Sequence, residues 1–123
     1  FTTVTPWLKL YSNYPEVNAK AQVNDPDSVF SYYKKLIRLR HENEIIVYGD
    51  YELLEAESEE TFIYKRTYEN EHLMVLCNFT DHEAAVTDAV MEQIPDGAEK
   101  LITNYADDMG RTLRPYEAKV YRY

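Results

Sequence analysis

The hydrophobic rhythm of this chain changes once, between Asn43 and Tyr48, and that change limits what it can fold into. Before it lie a loop rich in Pro and aromatic residues and one amphipathic helix. After it apolar residues alternate with a period of two, the mark of β-strands. One helix with no second helix to pack on, followed by a run of strands, reads as the torn edge of a larger body. The chain also opens Phe1-Thr2-Thr3-Val4 rather than on Met, so it is expected to be the tail of a longer protein.

With 123 residues, 45% of them hydrophobic, the chain can bury a core and is not a disordered segment. Its net charge of −9 is unevenly spread. Residues 1–48 hold six Lys/Arg against five Asp/Glu, whereas residues 49–123 hold seven against seventeen, net −10. An acidic half of this kind cannot neutralise phosphates, so no nucleic-acid partner is expected. No apolar run approaches the roughly 20 residues that span a bilayer, and no membrane partner is expected either. Cys77 is the only cysteine, in the apolar run Leu73-Met74-Val75-Leu76-Cys77, and reads as a small buried hydrophobe. A chain without disulfides fits a reducing compartment, and a cytoplasmic location is expected.

Residues 1–25 read as loop, punctuated by Pro6 and Pro15, with Trp7, Tyr11 and Tyr14 expected to anchor it by burying their rings. The helix is expected over about 26–43, with Asp25 as N-cap and Pro26 in the first helical position. Val29, Tyr33, Leu36, Ile37 and Arg40 line one face, widened by Phe30, Tyr32 and Leu39, with Lys34, Lys35 and Arg38 opposite. So wide a stripe is expected to be covered by the β-half or by a second copy in a homodimer.

Strands are expected at 45–48, 51–56, 62–68, 72–79, 83–87, 100–104 and 116–123. Apolar residues on both faces of 72–79 mark a central strand. Phe62, Tyr64, Arg66 and Tyr68 share one face of their strand. The acidic runs at 57–60 and Asp107-Asp108 read as solvated turns. Such spacing predicts an antiparallel sandwich or barrel.

No pattern here assembles a reaction centre. His41, His72 and His82 are scattered without metal-ligand spacing, and with only Gly49, Gly97 and Gly110 there is no phosphate loop. No catalytic, substrate-binding or metal-ligating residue is assigned, and no cofactor is expected. Asn78-Phe79-Thr80 fits the glycosylation pattern and is set aside as a chance match. Of the twelve tyrosines, Tyr51, Tyr64, Tyr68, Tyr105, Tyr116, Tyr121 and Tyr123 could stack sugar rings. They are read instead as half-buried strand residues, unless they form a coplanar exposed row.

Several strings are nevertheless specific. Thr5-Pro6-Trp7, Asn13-Tyr14, Asn24-Asp25-Pro26-Asp27-Ser28-Val29-Phe30 and Tyr33-Lys34-Lys35-Leu36-Ile37-Arg38-Leu39-Arg40 resemble the end of the catalytic barrel in the oligo-1,6-glucosidase group of the α-amylase superfamily, glycoside hydrolase family 13. Val47-Tyr48-Gly49-Asp50-Tyr51, Arg66-Thr67-Tyr68, Asn78-Phe79-Thr80, Asn104-Tyr105 and Leu113-Arg114-Pro115-Tyr116-Glu117-Ala118 continue the likeness. The resemblance implies a mainly β fold: an antiparallel Greek-key β-sandwich, preceded by a loop and one amphipathic helix from the end of a (β/α)8 barrel. Residues 1–47 would be the tail of that barrel and 48–123 the C-terminal domain. The parent would hydrolyse α-glucosidic bonds with retention, acting on α-1,6-linked gluco-oligosaccharides. The family's catalytic Asp, Glu and second Asp match no residue here, so the chain alone is expected to be inactive. Its expected partner is the catalytic barrel of its own chain, and a role as an accessory carbohydrate-binding module is the alternative. The tails of trehalose-6-phosphate hydrolases and dextran glucosidases are similar.

Overall fold

The computed structural model describes residues 4, 5 and 7–123. Pro6 and the opening Phe1-Thr2-Thr3 lie outside the described residues. The chain divides into two compact units, one ending at Glu42 and the other Asn43–Tyr123.

The first unit contains α1 (Ala19–Gln22) and α2 (Val29–Glu42). The loop expected over 1–25 thus holds one helical turn. Asn18 caps it by accepting from the Ala21 N–H at 2.9 Å, and Ala and Gln in that turn are good helix formers. The long helix starts later than Asp25-Pro26 suggested. Asp25 and Pro26 occupy the first two places of a turn closed by Ser28 N–H on Asp25 O, for which Pro and Asp are suited. Ser28 is the actual N-cap, its hydroxyl accepting from Ser31 N–H at 3.2 Å while it donates toward the carbonyls of Gln22 and Asp25. Ser28 is also the single buried residue described in this unit. Trp7, Tyr11 and Tyr14, expected to bury their rings, are 93%, 80% and 59% exposed, because so short a unit has no core to receive them. No residue of α2 is buried, so nothing within this unit covers its apolar stripe.

The second unit opens with α3 (Glu44–Tyr48), where a strand was expected. A four-residue apolar run fits either period; here Glu44 favours a helical first turn and Ile45 is fully buried by it. Then follow β1 (Asp50–Leu54), β2 (Thr61–Tyr68), β3 (Glu71–Asn78), β4 (Ala84–Ala85), α4 (Asp88–Met91), β5 (Glu99–Thr103), β6 (Thr112–Leu113) and β7 (Ala118–Arg122). The main sheet is antiparallel with order β1-β2-β3-β7-β5, and β4 pairs with β6 in a separate ribbon. β3 is the central strand, as its two apolar faces imply.

Register decides what each face carries. Ile63 faces Leu76 across the β2–β3 pair, and Met74 faces Tyr121 across β3–β7. This inner face packs with Val86, Val90 and Leu113, from the ribbon and α4, into one core flanked by Leu54, Met91, Ile94, Tyr121 and Tyr123. The opposite face carries Tyr64 beside Val75 and Val120. At one end α3 lies against it, and Arg66 donates from Nε to Ile45 O at 3.0 Å and from Nη2 to Gly49 O at 2.6 Å. Ile45 O thus accepts both the Gly49 N–H, at 3.1 Å, and Arg66, which ties the end of α3 to β2.

Candidate functional site

Two clusters in the second unit could carry function: a knot of buried charge around β7 and an aromatic face on the main sheet. The knot begins with Glu117 and Lys119, both fully buried. Charges are taken from water only when paired. Glu117 Oε2 accepts from the Arg114 N–H at 2.8 Å and from Arg114 Nε at 3.1 Å, and Oε1 from Arg114 Nη2 at 3.2 Å. Arg114 continues to Asp107, donating from Nη1 to Oδ1 and from Nη2 to the carbonyl, each at 2.6 Å. Its guanidinium carbon sits 4.0 Å over the Tyr105 ring.

Lys119 Nζ donates to Asp108 Oδ1 at 2.7 Å, and Lys100 Nζ and the Tyr121 hydroxyl donate to Oδ2 at 2.9 and 2.7 Å. Asp107-Asp108, read from sequence as a solvated turn, is therefore an anchor. Its partners are up to 13 residues away, a relation that no local pattern discloses.

Electrostatics follow from this packing. Burial pushes the Asp108 carboxyl up, but the hydrogen bonds from Lys119, Tyr121, Lys100 and the Gly110 N–H outweigh it and hold the group well below the usual carboxylate range. Glu117 is likewise lowered, with burial opposed by Arg114 and Lys119. Burial and the Asp108 carboxylate push the Tyr121 hydroxyl up. A general acid needs a raised carboxyl beside a second carboxylate. These carboxyls are lowered and paired with cations, so they fasten strands and neither has the raised pKa of a carboxylic general acid.

Other candidates are accounted for individually. Asn78 is 3% exposed and its amide donates to the carbonyls of His82 and Arg114 at 2.7 and 2.9 Å, so it is not presented for glycosylation. His72 shares a 3.1 Å hydrogen bond with Thr67, and exposed His82 lies between Asp81 and Glu60, whose hydrogen bonds raise its pKa. No metal-holding group of three or more His, Cys, Asp or Glu occurs among the described residues. Cys77 is half-buried rather than buried, and burial pushes its thiol up, away from nucleophilic use.

The tyrosines do not line up. Tyr51 and Tyr64 pack at 5.2 Å with a 38° tilt, and Phe62 meets Tyr64 at 55° and Phe79 at 61°. Tyr68 packs on Tyr48 and Tyr123 on His72, while the Tyr105 hydroxyl donates to Pro115 O and Tyr116 stands 60% exposed. The rings packed around Tyr64 are tilted against one another and form no coplanar row. Alternation placed Phe62 on the face of Tyr64; what sequence reading missed is that Phe79, just past β3, comes to stand against Phe62, since alternation does not disclose strand pairing.

Comparison with known proteins agrees in outline. Residues 1–49 match the family profile described as "Alpha amylase, catalytic domain", and residues 63–123 match "Beta-galactosidase C-terminal domain". An oligo-1,6-glucosidase of Halalkalibacterium halodurans is 42% identical over 130 aligned positions, covering 98% of this chain and 22% of the relative. A trehalose-6-phosphate hydrolase of Bacillus subtilis is 42% identical over 132 positions, covering 99% of the chain and 22% of the relative. The solved structure of a Bacillus licheniformis trehalose-6-phosphate hydrolase superposes with a TM-score of 0.84 at 38% identity, over 98% of this chain and 23% of that one. The chain thus spans about a fifth of the length of the curated relatives it matches. Those relatives are named as glycoside hydrolases, and the mainly antiparallel second unit fits the C-terminal β-domain of their fold. The chain belongs to the α-amylase superfamily, glycoside hydrolase family 13, within the group that contains the oligo-1,6-glucosidases.

Proposed function

We propose that the protein to which this chain belongs is a retaining α-glucosidase of α-1,6-linked gluco-oligosaccharides, and that this chain is its structural C-terminal part. Residues 48–123 are the C-terminal β-sandwich domain. Residues 1–47 close the catalytic barrel, with α2 (Val29–Glu42) as its last helix. The observation that carries this reading is the 42% identity to an oligo-1,6-glucosidase across 98% of the chain.

Retaining hydrolysis needs two carboxyls about 5 Å apart, one of them an acid with a raised pKa. The carboxyls brought close together here are lowered and paired, which supports a chain that contributes no group to the reaction. The exposed face of α2 is then covered by the rest of the barrel rather than by a second copy of the chain. The single cysteine of this chain allows no disulfide within it, which fits an enzyme of the cytoplasm.

The test is to express the whole coding sequence and, separately, this chain. The whole protein is expected to release glucose from isomaltose faster than it cleaves trehalose 6-phosphate, and the chain alone to release none. Faster cleavage of trehalose 6-phosphate would move the parent to the hydrolase named by the B. subtilis relative. Glucose release by the chain alone would end the structural reading. The alternative, an accessory carbohydrate-binding module, requires saturable binding of dextran, which the tilt of the exposed rings disfavours.

A further inference from the structure

The link from α4 to β5 carries a pair of residues whose own backbone can react. Of the eight aspartates in the chain, Asp96 alone precedes a glycine, and no asparagine does. The pair sits at the tip of the link, where Pro95, Asp96 and Gly97 are all exposed. On one side of the tip Ile94 packs against the core, and on the other Arg122 Nη2 donates to Glu99 Oε2 at 2.6 Å. The turn between them closes on one bond, Ala98 N–H donating to Pro95 O at 2.9 Å. Gly97 N–H meets no acceptor among the described residues. A Cβ built at Gly97 would find nothing within 4 Å, so no neighbour blocks rotation of the main chain there.

We propose that Asp96-Gly97 is a site of spontaneous covalent modification, at which the folded protein converts Asp96 to isoaspartate. Gly97 N attacks the side-chain carboxyl carbon of Asp96 and forms a new C–N bond. The hydroxyl of the protonated carboxyl leaves with the amide proton as water, and the ring that closes is a succinimide. Water then opens the ring at either carbonyl. Opening on the side-chain side restores Asp96. Opening on the main-chain side leaves the backbone running through Cγ, with the former main-chain carbonyl now a free carboxyl. No oxidant, reductant or cofactor enters. Two features single out this pair. A side chain on the following residue crowds the attack, and glycine has none. The attacking nitrogen must also be free. Asp27-Ser28 offers the comparison: a small residue follows there too, but Ser28 N–H is held by Asp25 O and Ser28 is buried. The consequence falls on β5. A methylene is added to the main chain just before Glu99 and Lys100, whose side chains reach Arg122 and Asp108. The carboxyl left free is the group that an S-adenosylmethionine-dependent isoaspartyl methyltransferase esterifies.

The experiment ages the full-length protein for several weeks in neutral buffer made with heavy-oxygen water. The protein is then moved to ordinary water and cut after glutamate, which releases residues 93–99 as one peptide. That peptide is expected to resolve into two forms of identical composition, each gaining one heavy oxygen as it passes through the succinimide. A minor form lighter by one water is the ring itself. Electron-transfer fragmentation identifies the isoaspartyl form, and only that form is expected to take a methyl group from S-adenosylmethionine when an isoaspartyl methyltransferase is added. Fragment ions are expected to show no heavy oxygen at Asp27. Gly97→Ala has room for its methyl group and no positive φ to strain it, so the variant keeps the fold. It is expected to slow the conversion at least roughly fivefold, because the added Cβ crowds the attacking nitrogen. Residues 93–99 without heavy oxygen or isoaspartate after ageing, an unchanged rate in Gly97→Ala, or equal conversion at Asp27 would each overturn the proposal. None of these readouts depends on which sugar the parent cleaves.

Discussion

Asp108 gathers two ammonium groups and a phenol around one carboxylate, and its surroundings fix how the domain responds to acid. In the unfolded chain it titrates like an ordinary Asp, near pH 4. In the folded chain it is held lower, so between the two values the unfolded state binds more protons. The stability it contributes is complete above about pH 4 and is lost as pH falls through that range toward its folded value. Asp108→Asn is therefore expected to lower the melting temperature at pH 7 and to flatten its fall below about pH 4. Parallel slopes for both proteins in thermal melts across that range would remove Asp108 from the explanation. Glu117 makes a harsher case. Glu117→Ala leaves Arg114 beside Asp107 alone and Lys119 short of one partner, and should cost about 3–5 kcal/mol in urea unfolding, as breaking a buried pair does. None of this was legible locally. Asp107-Asp108 looks like turn chemistry because nothing nearby in sequence says that Lys119 and Tyr121 will return beside it.

At the scale of elements, legibility tracked length. β2 and β3 were readable because eight residues of alternation leave little room for another period. β6, two residues long, and α3 and α4, five and four, carry too few positions to show a period, and tertiary contacts decide them. α3 illustrates the point. Its apolar run suits a strand, but Arg66 from β2 binds the carbonyls of Ile45 and Gly49 and holds it as a helical turn. The junction into β1 is tight: a Cβ added at Gly49 would stand 2.6 Å from the backbone oxygen of Ile45. Gly49 has a φ of −61°, so the demand there is for space rather than for an unusual backbone. Gly49→Ala should therefore destabilise by about 1–3 kcal/mol, the usual effect of overpacking, and loosen α3. Amide exchange at Gly49, whose N–H donates to Ile45 O at 3.1 Å, should quicken with it. An alanine variant with unchanged exchange would show that the turn can widen without loss.

The whole molecule is two bodies of unequal standing. Asn43–Tyr123 owns a core in which Ile63, Met74, Leu76 and Leu113 are wholly buried, with a five-stranded sheet to hold them. The part up to Glu42 buries Ser28 alone among its described residues, and its 14-residue α2 is near the length at which a free helix is marginal in water. Sequence periodicity gave α2 a wide apolar stripe but could not say what lies against it, because a helix records that a face must be covered and not by whom. Val29, Tyr33 and Ile37 remain 74%, 64% and 49% exposed. Separated at the Glu42–Asn43 junction, the two parts should therefore behave differently. The segment 43–123 is expected to unfold in a single cooperative transition, with near-ultraviolet circular dichroism from its packed tyrosines. The peptide 1–42 is expected to show little helix in water, and to gain it only in helix-promoting alcohol, because its packing partners are absent. A strongly helical peptide 1–42 in plain buffer would mean that α2 is held by local forces alone, and its exposed stripe would then need no catalytic barrel to explain it.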